Sequence, residues 1–335
     1  MIPHAAAAAP RTITITGGAG YLGSHLVRRL LARGDRVRVL DAFVHGHHGL
    51  AGLPADPRLT LIAGDVRDGA AVRNAMAGSD TVVALAALGG GEASFDRDAM
   101  ASVNCDATYL LADTCVTSRV GRLVFVSSCS VYGVGGDPLA ETSTLDPRSF
   151  YARTRVDAER IVESFADRLS AVTLRLPTLF GLSPRMRLDL LVNALTTQAY
   201  FRGHMSVPGG DQWRPQLHVR DAVTAIVLAA DAPEPLVRGQ RFNVGDQRAN
   251  QTIREIAALV AAALPGTDVR VEEHAADTRD YRVSFSKIRT ALGFAPQFDV
   301  AYGIAEIVAA CRRGEITGPE DPRPIPVPEL VRDAA

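Results

Sequence analysis

The run Thr16-Gly17-Gly18-Ala19-Gly20-Tyr21-Leu22-Gly23-Ser24-His25 constrains the fold more than any other part of the chain. It follows a short apolar run, Thr12–Thr16, and opens a stretch of helical periodicity, Tyr21–Arg33. Gly18, Gly20 and Gly23 fit G-x-G-x-x-G, and Gly17, Gly20 and Gly23 also fit G-x-x-G-x-x-G. Glycines at such a strand-to-helix turn let backbone N–H groups approach a diphosphate at the positive end of a helix. Gly17, Gly20, Tyr21, Leu22 and Gly23 are therefore candidate dinucleotide-binding residues. Asp41 closes the next apolar run, 18 positions beyond Gly23. A carboxylate there can accept from ribose hydroxyls and repel a 2′-phosphate, which favours NAD over NADP. In Gly64-Asp65-Val66 the acid either approaches the adenine, with Val66 beside it, or is an ordinary turn residue.

Apolar runs rich in Val, Ile, Leu and Thr recur at Val37–Leu40, Leu59–Ile62, Thr81–Leu85, Leu123–Ser127 and Val172–Leu176. Between them, Ala70–Ala77, Ala99–Thr117 and Tyr151–Arg168 repeat with a period near 3.6. Strands separated by helices need crossover connections, so the pattern predicts a Rossmann-type, doubly wound parallel α/β sheet. The second half predicts helices at Arg187–Ala199, Val219–Ala230, Ile253–Leu264, Phe285–Leu292 and Val300–Arg312. Strands are expected at Gln240–Val244 and Val269–Glu273, and a Gly/Pro-rich loop at Arg202–Pro215. This divides the chain into a dinucleotide-binding unit, 1–180, with 216–232 packing back onto it. A smaller α/β substrate lobe, 181–335, ends in a Pro-containing mobile tail from about residue 318.

A formal net charge of −1 excludes an overall basic footprint for nucleic acid or membrane surfaces. No apolar run reaches the ~18–20 residues that span a bilayer. The five-Ala stretch near the start lacks a basic region before it, which argues against an export signal. Cys105, Cys115, Cys129 and Cys311 have no ligand-like spacing, as expected in a reducing cytosol. His45, His47 and His48 lack a carboxylate or Cys partner at ligand spacing, so no metal is expected. Lys287 is the only lysine, so the other 35 of the 36 basic residues are arginine.

A second constellation joins Ser127-Ser128-Cys129-Ser130-Val131-Tyr132-Gly133 to Tyr151-Ala152-Arg153-Thr154-Arg155. With Asn104, Arg175-Leu176-Pro177-Thr178-Leu179-Phe180-Gly181 and Arg214-Pro215-Gln216-Leu217-His218-Val219-Arg220-Asp221, it resembles the extended short-chain dehydrogenases/reductases. The resemblance is to their nucleotide-sugar epimerase/dehydratase group and runs from about Arg11 to Gln297. It implies Tyr151 as the catalytic base, Ser128 as its hydroxyl partner, and Arg155 where the family has the Lys of Y-x-x-x-K. It also implies cofactor contacts from Ala86, Ala87, Asn104 and Pro177, and substrate contacts from Ser128, Ser130, Asn193, Arg187, Arg214 and Arg279. Arg282 is a weaker candidate of the same kind.

A tyrosine titrates near 10, so service as a base at neutral pH needs a shift of ~3 units, or about 4 kcal/mol. A cation ~4 Å away at an effective dielectric of ~20 supplies that much. Arginine keeps the charge of lysine but is longer and forked. Dehydratases of the group carry Asp-Glu after the catalytic hydroxyl residue, and decarboxylases keep the Glu. Cys129 and Ser130 stand there instead, a form that resembles the epimerases. Ala84 replaces a common His. The resemblance therefore implies an NAD-dependent nucleotide-sugar epimerase, working as a homodimer through the helices at Ala99–Thr117 and Tyr151–Arg168. The rivals are a dehydrogenase or 4-ketoreductase, a redox-neutral decarboxylase or dehydratase, and a catalytically silent NAD-binding sensor.

Overall fold

A computed structural model describes residues 10–89, 96–272 and 279–320. The chain runs β1 (Thr12–Thr16), α1 (Tyr21–Arg33), β2 (Arg36–Asp41), β3 (Leu59–Ala63), α2 (Gly69–Met76) and β4 (Thr81–Ala84). Then α3 (Arg97–Ala101) passes through a π turn (Ser102–Asp106) into α4 (Ala107–Thr117), followed by β5 (Arg122–Ser128). Next come β6 (Val134–Leu139), α5 (Phe150–Glu163), β7 (Ala171–Leu176), β8 (Thr178–Phe180), α6 (Leu191–Arg202), β9 (His204–Pro208) and β10 (Trp213–His218). The remainder is α7 (Val219–Asp231), α8 (Glu234–Val237), β11 (Gln240–Asn243), β12 (Asn250–Thr252), α9 (Ile253–Ala263), β13 (Asp268–Glu272), β14 (Asp280–Val283), α10 (Ser286–Leu292) and α11 (Val300–Arg312).

Seven strands form one sheet in the order β11-β7-β5-β4-β1-β2-β3, and every pairing is parallel. Both faces are covered, so β4 and β7 are buried along their whole length and are mostly apolar, with Arg175 the charged exception in β7. The edge strand β3 leaves Leu61 exposed. One face packs Leu26 and Leu30 of α1 with Ile226 and Ala229 of α7 over Ile13, Val124 and Val172. The other packs Met76, Leu111, Val162 and Phe165 over Val82, Leu123 and Phe125. The strand order reverses between β1 and β4, the place where doubly wound sheets open a ligand crevice at their carboxyl ends.

Several boundaries depart from the expected ones. The helix expected at 99–117 begins at Arg97 and carries the π turn around Asn104. The helix expected to reach Arg168 stops at Glu163, where Ser164 Oγ bonds back to Ile161 O. The one expected from Arg187 begins at Leu191, because Leu190 is extended and Arg187 pairs with Asp189 ahead of it. The loop expected at 202–215 contains β9 and the start of β10. Their partners are distant in sequence: β9 pairs with β13, and β10 with β8 and β12. Most of the expected tail lies outside the described residues. No helix among those residues is long and apolar enough to cross a membrane.

Candidate active site

The crevice is built from the ends of β1, β2, β4 and β5 and the starts of α1 and α5. Gly17 adopts a positive φ of 74°, and a Cβ there would lie 2.9 Å from Ala86 N. A Cβ on Gly23 would sit 2.4 Å from Gly17 O, so α1 rests directly on the turn that precedes it. No side chain caps α1, and its first turn holds no acidic residue. Its amide groups thus face the crevice from a helix terminus carrying partial positive charge. The carboxylate of Asp41 accepts from Ala19 N at 2.9 Å and Phe43 N at 2.8 Å, fixing the turn to the end of β2.

These residues fit a dinucleotide: an uncapped helix start over a close-packed glycine turn for the diphosphate, and a carboxylate at the adenosine end. Ala86 N bonds to Thr16 Oγ1 at 3.3 Å, Ala87 follows it at the rim, and Leu22 packs into the core below. Val66 is buried, and Asp65 forms a bidentate pair with Arg67, which holds its carboxyl below the usual range. Pro177 is buried at the junction of β7 and β8. The Tyr21 hydroxyl points away from the turn, donating to Gly181 O at 2.6 Å, and burial drives its acidity down.

Ser128 closes β5, and its Oγ accepts from Ser130 N at 3.1 Å, starting a short helical turn over 129–132. Ser149 caps α5 by accepting from Ala152 N at 3.1 Å, which sets Tyr151 in the first turn. The Tyr151 ring is half-buried against the backbone of Gly89, where an added Cβ would come within 2.7 Å of Cε2. One helical turn on, Arg155 is 2% exposed. Its Nη2 donates to Val126 O at 2.5 Å and its guanidinium stacks over Phe125 at 4.7 Å. The cation is therefore anchored against β5, one turn of α5 beyond Tyr151.

Asn104 is wholly buried and ties three segments together. Its Oδ1 accepts from Leu88 N at 2.9 Å, while Nδ2 donates to Leu88 O at 2.9 Å and Thr154 Oγ1 at 3.0 Å. Ser130 is buried too, and its Oγ has no hydrogen-bond partner among the described residues. Cys129 is buried in a cluster with Tyr132, Val156 and Phe285, its thiol donating to Arg175 O at 3.3 Å. Burial pushes that thiol well above its ordinary range.

The remaining candidates are engaged within the protein. Asn193 accepts from Gly181 N at 3.0 Å and donates to Arg187 O at 2.9 Å and Tyr21 Oη at 3.3 Å. Arg187 holds Asp189 through Nε at 2.6 Å and Nη2 at 2.5 Å. Burial alone would lower the pKa of Arg187, but the carboxylate raises it overall. Arg214 donates to the carbonyls of Trp213 and Arg279. Arg282 donates to Gly136 O and stacks on Trp213 at 5.1 Å. No group of three or more metal-ligating side chains occurs among the described residues.

Sequence reasoning missed Glu159. It is 4% exposed and pairs with Arg175 at 2.6 Å while accepting from Ser127 Oγ at 2.5 Å. The signal was present, since Tyr151, Arg155 and Glu159 follow one another at i, i+4 and i+8 on a single helix face.

The comparisons agree with this geometry. Residues 13–245 match the model of the NAD dependent epimerase/dehydratase family. A dTDP-glucose 4,6-dehydratase from Actinoplanes sp. is 30% identical over 319 residues, covering 89% of this chain and 96% of that protein. DesIV, a dTDP-glucose 4,6-dehydratase from Streptomyces venezuelae solved with NAD and TYD bound, superposes with a TM-score of 0.81 at 27% identity. That match covers 91% of this chain and 98% of DesIV. MoeE5 in complex with UDP-glucuronic acid and NAD gives 0.77 at 30% identity, covering 90% and 99%. The fold and crevice are those of an extended Rossmann-type short-chain dehydrogenase/reductase. The chain belongs to the NAD-dependent epimerase/dehydratase family, and its cofactor is NAD.

Proposed function

We propose that the protein is an NAD-dependent epimerase of a nucleotide-activated sugar. The reading is carried by the two positions after Ser128. Elimination of water needs a carboxylic acid and a carboxylate there, and Cys129 and Ser130 supply neither. Cys129 is moreover turned into the core, with its thiol held protonated.

Tyr151 Oη takes the proton of a sugar hydroxyl, that at C4, and Ser128 Oγ orients the same oxygen. NAD, held by the glycine turn and Asp41, would supply the hydride acceptor and donor for that carbon. The keto-sugar turns in the site between the two transfers, so the carbon receives the hydride on its opposite face while Tyr151 Oη returns the proton to the oxygen. Arg155 keeps positive charge behind the tyrosine, and Arg214 and Arg279 belong to the segments facing the nucleotide. The Ser130 hydroxyl, buried beside Ser128, supplies a further polar group on the substrate side.

We also propose a homodimer through α4 and α5. Tyr109 is 56% exposed on α4, edge-on at 5.4 Å to buried Phe165 just beyond α5, so one aromatic ring faces outward there. The four free cysteines accord with residence in a reducing cytosol.

The test incubates purified protein with UDP-, dTDP-, GDP- and CDP-sugars and a trace of NAD, followed by proton NMR. Many turnovers per NAD, with substrate mass and redox state unchanged, are expected, and the inverted carbon identifies itself. Conversion that stops when NAD is consumed makes the protein a dehydrogenase. Loss of water or carbon dioxide returns it to the dehydratases or decarboxylases.

A further inference from the structure

Residues 181–189 cross from the end of β8 to α6 and are fastened to the first turns of α1. Tyr21 Oη donates to Gly181 O at 2.6 Å, Ser183 Oγ to Tyr21 O at 2.8 Å, and His25 Nε2 to Leu182 O at 3.0 Å. Ser24 and Ser183 hydroxyls meet at 3.1 Å, and Asn193 holds Gly181 N. From the far side, Leu182 N donates to Glu306 Oε1 at 2.6 Å. Tyr21, Ser24, His25, Ser183 and Asn193 are all buried, so this strap is fixed by its own bonds to the helix that bears the glycine turn.

The strap carries Arg185 to the place where two loops already touch. A Cβ added to Gly49 would lie 2.0 Å from Ala19 O of the glycine turn and 3.3 Å from Cβ of Arg185. Arg187 is an electrostatic neighbour of Arg185 that repels it, and the carboxylates of Asp189 and Asp41 act on it from beyond hydrogen-bond reach. Arg187 is neutralised by Asp189, whereas Arg185, half-buried, has no hydrogen bond or ion pair with any described residue. A partly desolvated guanidinium that no carboxylate hydrogen-bonds is costly unless an anion completes it. Its fork suits two oxygens of a phosphate. The Ala19–Gly49 contact puts its backbone beside the turn that cradles the cofactor diphosphate rather than the segments facing the sugar nucleotide.

We propose that Arg185 is a cofactor-binding residue that pairs with the diphosphate of NAD and, through the strap, retains the cofactor between turnovers. The binding measurement that tests it involves no turnover, so it stands or falls separately from the epimerase reading.

Nucleotide-stripped wild type, Arg185→Gln and Arg185→Lys are titrated calorimetrically with NAD, and in parallel with UDP and dTDP. Thermal unfolding is recorded without ligand. Arg185→Gln is expected to weaken NAD about ten- to hundredfold, the range of a charge-assisted phosphate contact. Arg185→Lys falls between the two, UDP and dTDP change less than about twofold, and ligand-free unfolding does not move. The wild type also keeps NAD through gel filtration that strips it from Arg185→Gln. NAD affinity unchanged within about twofold overturns the proposal. Weaker UDP or dTDP binding with NAD unaffected overturns it in favour of a substrate role. A lowered unfolding temperature with all ligands weakened equally overturns it in favour of a structural role.

Discussion

Asn104 Nδ2 donates to Thr154 Oγ1 across 3.0 Å, joining the π turn before α4 to the first turns of the helix that bears Tyr151. The same amide satisfies both backbone groups of Leu88, so one buried side chain sets the wall of the crevice against α5. Insertion of a π turn aims Asn104 inward, a distortion that recurs at functional sites. Asn104→Ala leaves Leu88 N–H and C=O without these partners. It is expected to cost about 1–3 kcal/mol in urea unfolding and to reduce turnover.

Tyr151→Phe removes the hydroxyl and leaves the ring against Gly89. Turnover should fall roughly 10²–10⁴-fold, the usual contribution of a positioned acid-base group. NAD binding, measured calorimetrically, should remain within about threefold. Substantial residual epimerisation would sink the role given to this residue.

Arg155 separates charge from shape. Arg155→Lys keeps the cation but loses the bond to Val126 O and the stacking on Phe125. It should retain turnover within about tenfold and lose about 1–2 kcal/mol of stability. Arg155→Met should lose turnover by more than about a hundredfold. Its pH–rate profile should be displaced toward alkaline pH, because a cation favours the deprotonated tyrosine. Equal activity in the lysine and methionine variants would show that the charge is not used.

Glu159 and Arg175 form an ion pair with side chains 4% and 2% exposed, so neither is solvated if the other is removed. Arg175 also donates to Tyr132 Oη at 2.8 Å, and Ser127, next to Ser128, bonds Glu159. Glu159→Ala is expected to cost about 3–5 kcal/mol, the range for breaking a buried pair. Thermal and urea unfolding would check this. A loss below about 1 kcal/mol would mean that water reaches the pair.

His25 gives the pH dependence of stability. Burial lowers its pKa from 6.5 to about 3, only partly offset by its bond to Leu182 O. Its Nδ1 is buried without a partner among the described residues, so the ring is held neutral. Below 6.5 the unfolded chain binds a proton that the native state refuses until about pH 3. This contribution is complete above pH 6.5 and is lost as pH falls toward 3. Between pH 7 and 4.5 it amounts to a few kcal/mol. His25→Gln should flatten the urea midpoint over that interval.

The parallel sheet was legible because most of its strands are rich in Val, Ile and Leu and are punctuated by helices, with Gly17, Gly20 and Gly23 marking the first crossover. β9 and β10 were not, because Met205 and Val207 alternate with polar residues over a strand of only five residues. The partner β13 lies some sixty residues away. Tyr151 and Ser128 stood out through the resemblance of their motifs to the extended short-chain dehydrogenases/reductases. Glu159 did not, since a charged residue on a helix reads as solvated until the sheet behind it is known. The fastening of residues 181–189 was equally hidden, because each bond joins side chains of α1 to a segment about 160 positions later.

The shared cover that α1 and α7 place over one face of the sheet has a consequence for synthesis. About 200 residues separate the ends of these helices. At ~5–20 residues per second the ribosome needs roughly 10–40 s to bridge that interval. For that time Ile13 and Leu26, and for about half of it Val124, lack the helix that later shields them from solvent. The nascent chain is therefore a client for holdase chaperones until Ile226 and Ala229 emerge, and ribosome-bound chains stalled before and after α7 should differ in their capture.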